Sequence, residues 1–511
     1  MSISPIDEVS SVFQPASNLV SSMNQKSPAV VLSLDVGTSG VRAVLFDESG
    51  NQLEQAQTKS QRESSVGDFA ELDADAIVAD VVTTIDELML KAPDCRPHYL
   101  AISAFWHSLL GADADGNATT PLLTWADTRG ARFARQLRGE FDEKEWHART
   151  GCRFHPSYWP AKLLWLRNEF PELVAQTKLW LGFAEFLCLK LFGTPAASIS
   201  MASATGLFNQ RTNDWDWESI EALKIAPKTL PSIVIEPGNR FKSELNNRWP
   251  ALSECVLTVI IGDGAANNIG GGCTTNDRVA LMIGTSGAMR TIYADDPPQS
   301  LSMSLWSYRV DQRRIVTGGA LSDGGGLYSW LVRSLLIDDL SSIEDQLSKL
   351  EADSHGLTIL PFWSGERSTG WLPDARGAIL GLTQRTTTVD IVRAALEAIA
   401  YRFALISKAL EQVAPDATIV ATGNALRASP VWAQIIADVL GRSLVIGGSP
   451  EASARGAALL ALEVVGKIGA IEDLSAVPEQ IFEPDMSRHE LYAAGLTRQE
   501  EIYRRLMDDT S

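Results

Sequence analysis

One turn is written twice in this chain. Val31–Phe46 reads VLSLDVGTSGVRAVLF, and about half a chain length later Val279–Tyr293 reads VALMIGTSGAMRTIY. Each copy runs apolar, β-branched residues into Gly-Thr-Ser-Gly and out again, the pattern of a strand, a tight turn and a second strand. With 511 residues the chain is too long for one ordinary core, so the repeat predicts a duplicated architecture of two large domains. The copies differ in one informative place. Asp35 stands two positions ahead of Gly37, whereas Met282 stands in the mirror position ahead of Gly284.

The remaining elements fill in an α/β pattern. QLEQAQTKSQ, after a DESGN turn, reads as a third strand of the first half, and HYLAISAFW and CVLTVIIGD as further strands. PAKLLWLRNEF has helical spacing. Thr386–Val413 reads as a long helix with threonine N-cap candidates, and ATIVATG as a buried strand after it. SPVWAQIIADVLG reads as a helix with Ser429 at the N-cap, Pro430 at the first helical position and Gly441 at the end. RSLVIGG is then a strand and EASARGAALLALEVVG a final small-residue helix. We place a polar tail at 1–28, a first domain at 29–262 and a second at 263–511, packed around a cleft.

The net charge of −19 argues against nucleic acid and anionic membrane as partners, since both need a basic face. No apolar run approaches the ~18–20 residues of a membrane span, and no secretory signal opens the chain. The five cysteines form no C-x-x-C pair and are odd in number, which fits reduced thiols in the cytoplasm.

The paired turns carry the chemistry. Glycines at the ends of a strand–strand turn allow positive φ and expose successive backbone N–H groups, a concavity that binds phosphate oxygens without a basic residue. Gly37, Thr38 and Ser39 form one such clamp and Gly284, Thr285 and Ser286 the other. Two clamps across a cleft suit a nucleoside triphosphate. Its divalent cation takes oxygen ligands, which Asp35 offers and Met282 does not; the alternative for Asp35 is a turn cap. Asp263, where a buried strand gives way to GDGAANNIGGG, reads either as a helix N-cap or as a base for the hydroxyl that attacks the γ-phosphorus. GNALRASP and GGALSDGGG are strand-to-helix turns that let a base, ribose or phosphate approach.

Taken in order, LDVGTSGVRAVLFD, TWADTRG, GDGAANN, IGTSGA, LPFWSGERSTGWLPDARGAILGL, SPVWAQIIADVLG and EASARGAALLA resemble the FGGY family of carbohydrate kinases over nearly the whole chain. The resemblance implies two actin-like, ribonuclease H-like domains with mixed sheets around a central cleft. It implies ATP held mainly by the second domain and sugar by the first. By it Asp263 is the catalytic base, Asp35 works with Mg2+, Gly284 and Thr285 meet the phosphates, and Gly325, Gly423 and Asn424 line the adenosine pocket. Many members carry a second glycine where this chain has Asn424, which bears on nucleotide preference.

SAFWHSLLGADADGNATTPLLTWADTR, GCRFHPSYWPAKLLWL and MASATGLFN are most similar to the gluconate kinase branch. The acceptor so implied is D-gluconate, an open-chain polyol with a carboxylate. Trp106, His107, His155 and Lys162 are the candidate contacts beside Asp263. Each also has a structural reading: core for Trp106, fold support for the histidines, an ion pair or solvated role for Lys162. Asp127 with Arg129 reads as an ion pair holding the WADTR loop, and Glu366 with Arg367 as a cleft pair. Tyr158 and Trp159, bulky before Pro160, reshape the pocket if they face it. Two other readings stand beside this one: a ketopentose kinase for xylulose or ribulose, and a non-enzymatic actin- or Hsp70-like nucleotide-switched sensor. Expected partners are the sugar and ATP, with a homodimer as the assembly to test. The domains should close on their ligands and exclude water.

Overall fold

The structure is a computed structural model that describes residues 30–60, 70–447, 451–474 and 478–507; the 1–28 tail lies outside them. The first GTSG turn joins β1 (Val31–Gly37) to β2 (Gly40–Phe46), and β3 (Gln52–Lys59) extends the meander as the sequence predicts. β4 (Tyr99–Ala104) and β5 (Val256–Gly262) complete a sheet of order β3-β2-β1-β4-β5. The β1–β2 and β2–β3 pairs are antiparallel, while β1–β4 and β4–β5 are parallel.

The second turn joins β6 (Arg278–Ile283) to β7 (Gly287–Ala294). With β8 (Trp306–Arg309), β9 (Arg314–Leu321), β10 (Thr418–Thr422), β11 (Leu444–Gly447) and β12 (Pro478–Phe482) these give the order β8-β9-β7-β6-β10-β11-β12. Its inner five strands, β9-β7-β6-β10-β11, repeat the order and directions of the first sheet strand for strand. This is the ribonuclease H-like topology twice over, the actin-like duplication that the repeated turn predicts.

Helices cover the sheets, which is why central strands such as β1 are buried almost end to end instead of alternating. α1 (Ala74–Lys91), capped by Asp73, lies on β2 and β3. Between β4 and β5 the chain makes a long excursion, including α2 (Trp159–Glu169), with its own apolar cluster around Leu109, Trp146, Trp159 and Leu207. α3 (Asp263–Gly270) leaves β5 directly. In the second half α4 (Gly325–Ser334) follows β9, and the long α5 (Thr388–Leu410) starts from a capping box of Thr387 and Asp390. After β10 come α6 (Asn424–Ala428) and α7 (Pro430–Leu440). Ser429 caps α7 through the Trp432 amide, and Gly441 ends it at φ 62°, both as read from the sequence.

The last small-residue helix, α8 (Ala452–Val464), follows β11 but packs on β1, β4 and β5 of the first sheet. Ser33 Oγ donates to the Ala454 carbonyl at 2.8 Å inside that core. α8 also crosses α3 with backbones touching. A Cβ on Gly270 would lie 1.8 Å from the Ala452 oxygen, and one on Gly456 1.8 Å from the Ala266 oxygen. Only glycine fits at either position, and the crossing fixes the helix that Asp263 begins. All five cysteines are free thiols. No described helix is long and apolar enough to cross a membrane.

Candidate active site

At the first turn Gly37 pairs with Gly40 and Thr38 and Ser39 form the tip. At the second, Ile283 pairs with Gly287, and the Gly284 amide donates to the Ser286 carbonyl at 2.9 Å. None of the four turn glycines takes a positive φ, against expectation. Space is the reason for two of them. A Cβ on Gly40 would lie 2.7 Å from the Thr58 carbonyl of β3, and one on Gly287 2.6 Å from the Phe403 ring of α5. Gly37 and Gly284 have room around them, with nearest contacts at 3.5 and 3.7 Å.

The GGG of the SDGGG turn also has a steric meaning. The amides of Gly324 and Gly326 donate to the Thr285 carbonyl and that of Gly325 to the Gly284 carbonyl, at 2.8–3.0 Å. A Cβ on any of the three would come within 2.8 Å of the second turn. Gly423 does adopt a left-handed φ, 93°, and the β6–β10 register sets Met282 beside Thr422, so Gly423 lies next to the Ile283 carbonyl. Gly284, Gly325 and Gly423 thus meet at one corner. Asn424 begins α6, and its side chain lies outside the described residues.

Asp35 lies two residues before the end of β1, its carboxylate accepting from Ser103 Oγ at 3.0 Å and paired with Arg42 at 3.3 Å; Arg42 also meets Glu451 at 3.0 Å. Burial raises the Asp35 acid above its usual range, and Arg42 opposes that.

Asp263 is the first residue of α3, and its carboxylate accepts from the adjacent Gly264 amide at 2.8 Å and from the Trp106 amide. An N-cap carboxylate would accept from amides two or three residues on, so capping does not explain it. Burial lifts its pKa to about 6; Arg290 opposes the shift and Asp35 adds to it. The flanking glycines are required by Trp106, whose indole lies across them. A Cβ on Gly262 would sit 1.8 Å from that ring and one on Gly264 2.5 Å. Trp106 is buried, with Nε1 donating to the Ser200 carbonyl at 3.1 Å, so it forms the floor under the acid.

His107 and His155 come from the excursion between β4 and β5. His107 has a left-handed φ of 66°, and its Nδ1 donates to the Ala204 carbonyl at 2.9 Å, which leaves Nε2 as an acceptor. Burial drives its pKa to about 3, and burial with Arg138 and Arg367 nearby holds His155 well below its usual range. Both rings are therefore neutral. Tyr158 and Tyr308 close edge-on against His107 at 5.2 and 5.5 Å, with their hydroxyls 2.6 Å apart. Trp306 stacks on Tyr308 at 4.3 Å, and Trp371 meets His155 edge-on. Of the two bulky residues before Pro160, Tyr158 joins this pocket. Trp159 turns away, toward Trp215 and the Ser108 carbonyl.

Lys162 props the pocket from behind: its buried Nζ donates to the carbonyls of His107 and, at 2.8 Å, Ser157. Arg129 binds Asp127 at 2.6 Å and Glu71 at 2.7 Å, the expected structural pair. Glu366 does not pair with Arg367, as the sequence reading had it. Its carboxylate goes to Arg402, Tyr503 Oη and the amides of Thr369 and Gly370. Arg367 instead stacks on Trp125, 4.3 Å from ring centroid.

Arg290 and the aromatic residues of β8 escape the sequence reading. Arg290 is buried on β7 with Nε and Nη2 lacking any acceptor, and its Nη1 lies 2.5 Å from where a Gly264 Cβ would be. The available signal was a charged residue inside an otherwise apolar strand.

The duplicated sheets, paired turns and acid at the end of β5 define an actin-like nucleotide-cleft protein. Within that class the chain belongs to the FGGY family of carbohydrate kinases, whose N-terminal domain matches residues 30–270 and C-terminal domain residues 279–463. A gluconokinase of Bacillus subtilis is 30% identical over 460 residues, covering 87% of this chain and 89% of the relative. A xylulose kinase structure from Lactobacillus acidophilus superposes with a TM-score of 0.85 at 26% identity, and a gluconate kinase structure from the same organism with 0.84 at 27%. Each covers 93% of this chain and 98% of the other. The protein is thus an ATP-dependent carbohydrate kinase, and the sensor reading falls away.

Proposed function

We propose that the protein transfers the γ-phosphate of ATP to a hydroxyl of an open-chain sugar acid, with D-gluconate the favoured acceptor. The observation that carries the chemistry is Asp263: a half-buried acid on a glycine-flanked helix start, without a capping role, influenced by Asp35 below the first turn and by Arg290 on the strand leaving the second. Phosphoryl transfer asks chiefly for positioning and charge neutralisation, with an acid to take the proton of the attacking hydroxyl. Asp263 takes that proton. The neutral rings of His107 and His155 orient the acceptor's hydroxyls. The corner of Gly284, Gly325 and Gly423 receives the nucleotide, with Thr38, Ser39, Thr285 and Ser286 offering hydroxyls to phosphate.

The residues at the first turn fit Mg2+. Asp35 and Glu451 are hard oxygen donors that share Arg42; burial pushes both acids upward, Asp35 adds to the rise at Glu451, and a divalent cation would oppose both shifts as Arg42 does. Asp35 would hold the ion, which supplies charge neutralisation to the phosphates when bound.

Gluconate is supported by the Bacillus gluconokinase relative and by the first-half motifs around His107 and His155. The ketopentose reading is supported by the fold match to a xylulose kinase. ADP release measured with gluconate, xylulose, ribulose and glycerol separates them. Gluconate turning over fastest, with Asp263→Asn inactive on all, is the expected result. Faster turnover of a ketose at matched concentration assigns the second reading.

A further inference from the structure

We infer that Arg367 is the seat of the acceptor's carboxylate, and so the residue that selects a sugar acid over the corresponding neutral polyol. The inference rests on the sugar-acid reading above and names the group that enforces it.

Arg367 bridges the two halves. It lies between β9 and α5, donates from Nη2 to the Leu321 carbonyl at 3.0 Å, and stacks its guanidinium on Trp125 of the first-half excursion. The Trp125 carbonyl accepts from Ser157 Oγ at 2.8 Å, and Ser157 Oγ meets His155 Nδ1 at 2.9 Å, so the stack on Trp125 sets Arg367 beside the acceptor pocket. Yet among the described residues no carboxylate is hydrogen-bonded or ion-paired to it; Asp263 and Asp323 act on it only through space. Its buried Nε finds no acceptor. Neighbouring Glu366 is spent on Arg402 and Tyr503. Asp323 accepts from the amide and hydroxyl of Ser364 at 2.8 and 2.9 Å. Lys162 and Arg138 nearby are engaged, the first with two carbonyls and the second with Glu143 and the carbonyls of Phe154 and Trp371, while Arg290, whose Nε and Nη2 also lack acceptors, lies beside Gly264 next to the reacting acid Asp263.

A part-buried guanidinium held flat by an aromatic ring and lacking a hydrogen-bonded anion is costly by itself. It is also pre-organised for the planar, charge-assisted pairing that a carboxylate offers. A polyol bearing CH2OH in place of the carboxylate would leave the charge uncompensated. Sites built on such polar contacts reject analogues lacking the partner group by large factors.

The test compares kcat/KM for D-gluconate and D-glucitol, which share the carbon chain and differ in the carboxylate, in wild type, Arg367→Gln and Arg367→Lys. Wild type should prefer gluconate by about 100-fold or more. Arg367→Gln should collapse that ratio through KM, and Arg367→Lys, which keeps the charge and loses the fork, should fall between. Thermal unfolding and ATP binding of each variant report whether the fold is intact. Equal losses on both acceptors, or an unchanged ratio, would overturn the assignment, as would a wild type indifferent to the carboxylate. A wild type that phosphorylates ketoses and no acid overturns the sugar-acid reading itself, and that is read without any variant.

Discussion

Asp263, which the 263–511 boundary would assign to the second domain, grows from the first sheet and lies beside Arg290 of the second, whose Nη1 is 2.5 Å from where a Gly264 Cβ would be. Asp263 follows the last strand of the first sheet, and Arg290 is the fourth residue of the strand that leaves the second turn. Each shifts the other: the arginine opposes the rise of the acid's pKa, while the acid supports a guanidinium that burial has lowered to about 10. The putting together of base and counter-charge therefore depends on how the two halves sit.

The first consequence is a pH profile. With the Asp263 acid at about 6, kcat/KM should rise roughly tenfold per pH unit below that value and flatten above it. Only the deprotonated acid can accept the hydroxyl's proton. Initial rates from pH 5 to 8.5 read it directly. A flat profile whose activity survives Asp263→Asn would remove the acid from the reaction.

Removing the counter-charge should move that profile. Arg290→Gln leaves Asp263 with burial and the repulsion of Asp35, so its pKa rises and the acidic limb shifts upward by about one pH unit, equivalent to about 1.4 kcal/mol. Activity at pH 6 falls more than at pH 8.5, and Arg290→Lys restores part of the shift. A uniform loss at every pH would assign Arg290 to packing alone.

How far the sequence carries is visible in this pair. Asp263 was legible because a local pattern exposes it: an apolar strand, then an acid between glycines. The individual strands, the duplicated turns and the caps at Thr387 and Ser429 were legible for the same reason, since each is written within a few residues. Arg290 was not, because its meaning depends on Gly264 and Asp263, which the fold brings to it from the other half. The glycines show the same limit. Gly40, Gly287 and Gly324 are needed for approach to Thr58, Phe403 and Ser286, contacts that only tertiary structure reveals. The Glu366–Arg367 pairing failed because Arg402, on α5, reaches Glu366 instead.

Lys162 gives a stability prediction with a definite sign. Burial lowers its pKa to about 7 in the folded protein, from an ordinary value of about 10.4 in the unfolded chain. Between those values the unfolded state binds more protons, so this group's contribution to stability rises with pH, by up to about 1.4 kcal/mol per unit. Denaturation from pH 7 to 8.5 should show a steeper rise for wild type than for Lys162→Met. The variant should also lose activity, because the carbonyls of His107 and Ser157 lose their donor. Parallel pH slopes would show that the lysine keeps its charge when folded.

The α3–α8 crossing offers a packing test. Gly456→Ala places a methyl 1.8 Å from the Ala266 carbonyl, so the helices must part. The expected cost is about 1–3 kcal/mol, with a fall in kcat because α3 carries Asp263. Gly469→Ala, where the nearest atom is 3.9 Å away, is the control and should unfold like wild type. Thermal unfolding of the two variants decides whether the contact is as close as the backbone places it.

The turns themselves can be separated into structural and ligand-facing glycines. Gly40→Ala and Gly287→Ala meet the Thr58 carbonyl and the Phe403 ring at under 3 Å and should lower the melting temperature. Gly37→Ala and Gly284→Ala meet nothing closer than 3.5 Å and need no positive φ, so the protein alone accommodates them. If backbone amides at these positions close on phosphate oxygens, the added methyl intrudes where the ligand must come. KM for ATP should then rise by about tenfold or more, a loss of roughly 1.4 kcal/mol of binding, at unchanged melting temperature. Kinetics and unfolding on the four variants give the contrast. Gly37→Ala and Gly284→Ala enzymes with wild-type KM for ATP and wild-type kcat would show that the repeated turn holds the sheets together without gripping the nucleotide.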